Sequence, residues 1–303
     1  MAMLKRVAIA LALVGAASAT TYTVEKEADF YKTLYSTSPG DTVAVKCDLK
    51  QGIVIDQGGK SGRPISIVSV GGRHLMCGKE SHDQVAITAS YVTLKGFDAQ
   101  CKSMKVEGSG VNLDSLAGAT DSYVIELKGS NIQAINLTGK TVIVSGNNNL
   151  IKSSTLATAQ ISGNGNDLSQ SKISPASNSD NIIQISGDKN KVLGCKIKHS
   201  VCTEKDNSAI KVTGDDNTIQ SNNFEMNAYN CWVTTASAYQ GIIENSKNGG
   251  NTYAQNTCAW TRVKPGQSPY FVYMEKVNAN DKVCASNSVD NGSISNVEVN
   301  RRC

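Results

Sequence analysis

Between residues 125 and 227 the chain repeats itself, and few folds tolerate the way it does so. Four segments align: VIVSGNNNLIKSSTL from 142, AQISGNGNDLSQSKI from 159, IQISGDKNKVLGCKI from 183 and IKVTGDDNTIQSNNF from 210. A weaker copy, IELKGSNIQAINL, begins at 125. Each unit has alternating apolar residues, then Ser, Thr or Lys before Gly, a polar turn with Asn, and a second alternating run. The turn glycines fall at 129, 146, 163, 187 and 214, so their spacings are 17, 17, 24 and 27. Alternation at period two broken by a Gly/Asn turn reads as strand, turn, strand. Gly and Asn suit such turns because they accept left-handed backbone angles cheaply.

Short strands repeated every ~20 residues are the mark of a solenoid, in which each rung buries its inward side chains against the next. Alignment of the units predicts two inward columns: Val144, Ile161, Ile185 and Val212, and Leu156, Ile173, Ile197 and Phe224. Asn149, Asn166, Asn190 and Asn217 share one turn position, where stacked amides can bond rung to rung. All 27 Asn lie at or after Asn112, so the enrichment belongs to the repeat. A β-sandwich, the competing architecture, carries no such registered turn. The expected class is all-β: a single-stranded parallel β-helix. Residues 24–36 have apolar positions at helical spacing and are expected to cap the open end of the stack.

Residues 1–19 carry a basic start (Lys5, Arg6), an apolar run from Val7 to Val14, and Ala17-Ser18-Ala19 at an A-x-A cleavage pattern. They are read as a signal peptide, which makes the protein secreted and extracellular; a buried N-terminal helix is the alternative. No later run is long and apolar enough to span a bilayer, so no membrane association is expected. All nine Cys follow residue 19, and disulfides are expected in an exported chain, with at least one thiol left over. Cys195 and Cys202 are near enough in sequence to staple a loop, and Cys303 could tie down the terminus. No C-x-x-C occurs and only three His are present, which disfavours zinc. Asn136 and Asn291 head glycosylation acceptor triplets. Removal of residues 1–19 leaves 28 basic and 26 acidic residues, so no nucleic-acid partner is expected. The expected organisation is a signal peptide at 1–19, a β-helix over 20–227, and final rungs with a Cys-rich, disulfide-bound cap over 228–303. A monomer is expected.

Pro39-Gly-Asp-Thr-Val, then GIVID, then Gly62-Arg-Pro-Ile-Ser-Ile, then ASYVTLKGF at 89–97, resemble the opening rungs of the right-handed parallel β-helix, pectate-lyase-like superfamily. The Asn-x-Ile units further on resemble its middle rungs, and the likeness extends over residues 22–227. Rungs of 17 residues are short for that superfamily, which leaves a left-handed helix as the alternative. The resemblance implies an enzyme cutting acidic polysaccharide, chiefly a lyase acting on a uronate-containing, pectin-like wall polymer by β-elimination. Such chemistry needs a base, usually Lys or Arg, beside the uronate carboxylate, and a cation, often calcium, to neutralise it. In the superfamily these groups occupy the outer face of one sheet, in a groove walled by insertions between rungs.

The longer spacings place insertions at 174–181 and 198–208. If Ile197 points inward, Lys196 and Lys198 point outward on the same strand. Alignment puts Lys172 beside Lys196, Glu225 beside Lys198, and Gln184 beside Lys211. Asp215 and Asp216 sit at the adjoining turn, with Glu204 and Asp206 in the insertion. The candidate set is therefore Lys196, Lys198 and Lys211 as catalytic residues, with Lys172, His199 and Asn223 as substrate-binding residues. Glu225, Asp215 and Asp216 are candidate ligands for calcium. The competing reading is a solvated face, with Lys198 and Glu225 as a weak cross-rung ion pair and His199 as a surface or loop residue. Gly214-Asp-Asp resembles a paired-acid hydrolase element, but the same slot reads Gly-Asn-Asn, Gly-Asn-Gly and Gly-Asp-Lys in other units, which marks it as a turn. No G-x-S-x-G elbow or P-loop occurs. A non-catalytic secreted β-helix that binds glycan, adheres or acts on a host is the second functional class, supported by the lack of a sharp catalytic motif. An ice-binding solenoid would need a regular outward Thr array, whereas the column reads Thr155, Lys172, Lys196, Asn223.

Overall fold

A computed structural model describes residues 18–77, 84–118, 123–175, 181–200, 208–227, 240–261, 270–275, 278, 280–290 and 293–295. The strands are short and every strand pairing is parallel, in a 12-stranded and a 19-stranded sheet. The larger sheet consists of two ladders that merge where the seven-residue strands Thr138–Val144 and Thr155–Ile161 run through both. Each complete rung thus has three faces. Ladder A is the 12-stranded sheet. Ladder B includes Lys172–Ile173, Lys196–Ser200, Asn223–Asn227 and Thr257–Thr261. Ladder C includes Ile183–Ile185, Ser208–Val212, Gln240–Glu244 and Tyr270–Met274. The fold is a parallel β-helix, and its ladders continue past residue 227 to the strand Ser293–Ser295.

Both predicted inward columns are present in register. Val144, Ile161, Ile185 and Val212 pair in sequence along ladder C. Leu156, Ile173, Ile197 and Phe224 do so along ladder B. All eight are buried, as alternation with one solvated face requires. At the N-terminal end a short helix, Phe30–Ser36, turns Phe30 and Leu34 into the core. It covers the apolar columns that the first rung would otherwise expose.

The rungs are tied at their corners by side chains as well as by strands. At the turn from ladder C to ladder A, the backbone N–H of Asn149 donates to Asn166 Oδ1, Asn166 to Asn190, Asn190 to Asn217 and Asn217 to Asn251, at 2.7–2.9 Å. The first four are the predicted column; Asn251 and then Asp281 extend it. A second ladder, which the sequence alignment did not bring out, occupies the two-residue turn from A to B. Its members are Ser154, Ser171, Cys195, Asn222, Asn256 and Asn287, linked in part by bonds such as Cys195 N–H to Asn222 Oδ1 at 2.8 Å. Cys195 is therefore a buried, free thiol taking the place of Ser or Asn, and it does not staple a loop with Cys202. Burial pushes that thiol up to about 11, which leaves it unreactive.

The turn glycines serve a purpose other than left-handed geometry. None of 129, 146, 163, 187 and 214 has a positive φ; that conformation falls two residues later, at Asn131, Asn148, Gly165, Lys189 and Asp216. A Cβ on Gly163 would instead lie 1.9 Å from the carbonyl oxygen of Gly146, and a Cβ on Gly187 2.1 Å from that of Gly163. Successive backbones touch at this corner, and only hydrogen fits between them.

Among the described residues Cys77 and Cys101 form a disulfide, Cys284 is also disulfide-bonded, and Cys47, Cys195 and Cys258 are free. Cys202, Cys231 and Cys303 lie outside the described residues, as do most of the signal-peptide region and Glu204 and Asp206. No helix of the described residues is long and apolar enough to cross a membrane.

Gly163→Ala is expected to cost ~3 kcal/mol or more, because two backbones must part. Gly194 has φ +61° but open space, the nearest atom to its Cβ being 3.9 Å away. Gly194→Asn is therefore expected to stay within ~0.5 kcal/mol of the parent. Denaturant unfolding of the two variants checks the contrast.

Candidate functional site

Period-two alternation places Lys196 and Lys198 outward and Ile197 inward on the strand Lys196–Ser200. Lys172 lies beside Lys196 in register, followed by Asn223 and Thr257. Lys198 pairs in register with Glu225, but the ion pair forms on the diagonal, between Lys196 Nζ and Glu225 Oε1 at 2.6 Å. The hydrogen bond from Lys196, with the charges of Lys196, Lys198 and Lys172 around it, holds the Glu225 carboxyl below its usual range. His199 is neither a surface nor a loop residue. It points inward, 2% exposed, in register with Met226.

Lys211 belongs to a different face. It stands on ladder C, in register with Gln184, which is itself beside Gln160. The structure thus separates the three candidate lysines: Lys196 and Lys198 on B, Lys211 on C. Asp215 and Asp216 are on the turn beyond Val212, towards ladder A, away from Glu225 on B. Asp215 Oδ1 accepts from the N–H groups of Asn248 and Gly249, and Oδ2 accepts from Asn248 Nδ2 at 2.6 Å. Burial raises this carboxyl, but those hydrogen bonds outweigh it and hold the group low. Asp215 is the next step of an outer column, Asn147, Asn164 and Asp188, whose oxygens each accept the following rung's N–H. The Gly-Asp-Asp slot is a stacking turn.

Calcium would need several oxygen ligands converging on one point. Glu225 is engaged by Lys196 and Asp215 by the next rung. No group of three or more His, Cys, Asp or Glu among the described residues is placed to hold a metal. The described residues do not fit that ion.

A groove does form on ladder C. It has a volume of about 410 Å³, and its polar lining includes Gln160, Asn181, Gln184, Ser186, Lys211 and Thr213. Asn181 spends its carbonyl oxygen on the N–H and hydroxyl of Ser208. The amide NH₂ of Asn181, the amides of Gln160 and Gln184 and the Lys211 ammonium make no hydrogen bond or ion pair within the described protein. The groove adjoins the corner between ladders B and C. There the chain runs from 173 to 183, from 200 to 208, from 227 to 240 and from 261 to 270, whereas Thr138–Val144 and Thr155–Ile161 cross without a break. Four successive rungs thus carry insertions at this corner. The alignment had shown the first two; most residues of all four lie outside the described set.

One rung beyond Lys211, the inward column of ladder C changes from Val212 to Glu244, which is fully buried. Glu244 accepts from the N–H of Ser246 and from Asn251 Nδ2, and it pairs with the Tyr253 hydroxyl. Sequence alignment missed this residue because its turn is longer than the others.

No protein-family model and no curated protein matches the sequence. Solved structures do. An alginate lyase from Paenibacillus sp. str. FPU-7 superposes with TM-score 0.53 at 15% identity, covering 93% of this chain and 99% of that one. A PL6 family polysaccharide lyase from Pseudopedobacter saltans gives 0.53 at 14% identity, covering 89% and 93%. A rhamnogalacturonan lyase gives 0.53 at 15%, covering 94% and 86%. Likeness at this identity establishes fold alone: the chain shares the parallel β-helix architecture of these structures.

Burial, reinforced by the nearby charge of Asp281, raises the Glu244 carboxyl above its ordinary 4.5 despite its hydrogen bonds. A raised acid contributes its full stability below the unfolded value and loses it as pH climbs through the folded one. Melting temperature should therefore fall as pH rises above 4.5, and Glu244→Gln should flatten that fall. A slope unchanged in the variant would show that other groups cause it.

Proposed function

We propose that this protein is a secreted polysaccharide lyase that cleaves a uronate-containing polymer by β-elimination on the outer face of ladder C. The observation that carries the proposal is the groove lined by Lys211, the amides of Gln160 and Gln184 and the amide NH₂ of Asn181, none of which has a partner among the described residues. The fold it shares with three structures described as lyases adds support by analogy. The Cys77–Cys101 disulfide is in keeping with export, with residues 1–19 as the signal peptide.

In this reaction the proton on the carbon next to the carboxylate leaves with its bonding pair passing into a new carbon–carbon double bond. The glycosidic oxygen on the adjacent carbon departs and is reprotonated by solvent. Lys211 takes the proton. The three amides donate hydrogen bonds to the uronate carboxylate as negative charge builds on it in the transition state. Adjacent rungs hold Gln184 and Lys211 ~4.8 Å apart, close enough for one sugar to meet both.

A glycan-binding protein without catalysis is the second reading. It is favoured by the absence of a metal-ligating acid cluster among the described residues.

The purified chain, incubated with polygalacturonate and alginate, should generate ultraviolet-absorbing unsaturated ends. Lys211→Ala should lower kcat ~100-fold or more while leaving the circular dichroism unchanged. No absorbance and no new reducing ends from the parent protein would replace the lyase with the binding reading. Full activity in Lys211→Ala would move the base elsewhere.

A further inference from the structure

The lysines of ladder B are left without a task by a site on ladder C. Lys172 and Lys196 are direct neighbours across the ladder, and Lys198 is two residues along the same strand. Like charges placed opposite each other in a sheet repel. One carboxylate, Glu225, sits among the three and is paired with Lys196, so a net positive charge remains. The column containing Lys172 and Lys196 is polar well beyond them: Thr138, Thr155, Lys172, Lys196, Asn223, Thr257 and Ser288 follow one another in register. Six rung spacings of ~4.8 Å make a straight track of ~29 Å along the solenoid axis. The neighbouring outward column runs Lys198, Glu225, Ala259 and Asp290.

We propose that this track is a second binding surface for an acidic polysaccharide, separate from the groove on ladder C. It rests on the reading of the protein as one that handles uronate polymers, and it assigns ladder B to holding the polymer while ladder C acts on it. Hydroxyl and amide groups on the rungs either side of the lysines suit the hydroxyls of an extended sugar chain. The lysine cluster at the middle suits its carboxylates. Neither outward column contains an aromatic side chain on which a nucleobase could stack, so an acidic glycan fits better than a single-stranded nucleic acid. Two faces that engage one polymer raise its effective concentration at the reacting site.

The test compares the full chain, the triple variant Lys172→Gln, Lys196→Gln, Lys198→Gln, and Lys211→Ala by affinity electrophoresis through gels containing polygalacturonate. The triple variant should bind the polymer at least about tenfold more weakly and lose salt dependence, as expected when cationic contacts are removed. Lys211→Ala should keep most of its retardation. If the parent binds through these lysines but cleaves nothing, this surface stands and the lyase reading fails. Retardation of the triple variant equal to the parent's would overturn the proposal. So would a parent that ignores polygalacturonate and binds single-stranded DNA at the same salt.

Discussion

At the turn from ladder C to ladder A, successive backbones approach too closely for any side chain to fit between them. Gly129, Gly146, Gly163, Gly187 and Gly214 stack there with no space for a Cβ. That contact fixes how far one rung lies from the next and which residue lies over which. The buried Asn column alongside it turns the same register into hydrogen bonds, each N–H donating to the amide of the following rung. Everything else in the fold inherits this spacing. The inward Val, Ile and Leu columns pack because their strands are held in step. The outward residues form straight lines for the same reason, so a lysine or glutamine at one position acquires neighbours dozens of residues away in sequence.

Much of this was legible before any coordinates. The two inward columns and the Asn ladder follow from alignment of four units, because a solenoid writes its contacts into its period, and the capping helix follows from the helical spacing of apolar residues over 24–36. What alignment could not supply was the reason for glycine. A close approach and a left-handed turn leave the same letter in a sequence, and only geometry tells Gly163, which needs space, from Gly194, which needs a positive φ. The A-to-B corner escaped notice because Ser, Cys and Asn all serve there, so no single residue type repeats. Glu244 was hidden by a turn of different length.

The candidate site was legible in its parts and not in its assembly. Period two gave the outward direction of Lys196 and Lys198, and the alignment gave Lys211 beside Gln184. A linear repeat does not say that a rung has three faces, so lysines on ladders B and C read as one cluster. The corner between the two ladders separates them. Once they are separated, the ladder C groove holds one lysine with three amides, while ladder B holds three lysines around one carboxylate. The first arrangement suits removal of one proton beside a carboxylate that the amides hold. The second suits loose attraction of many carboxylates along a chain.

A crystal structure of Lys211→Ala with a bound tetra-uronate would test the assignment of chemistry to ladder C most directly. The account predicts sugar density over Gln160 and Gln184, with one carboxylate within hydrogen-bond reach of an amide and the carbon beside it facing position 211. Density confined to ladder B, or a sugar on ladder C whose carboxylate faces solvent, would contradict it.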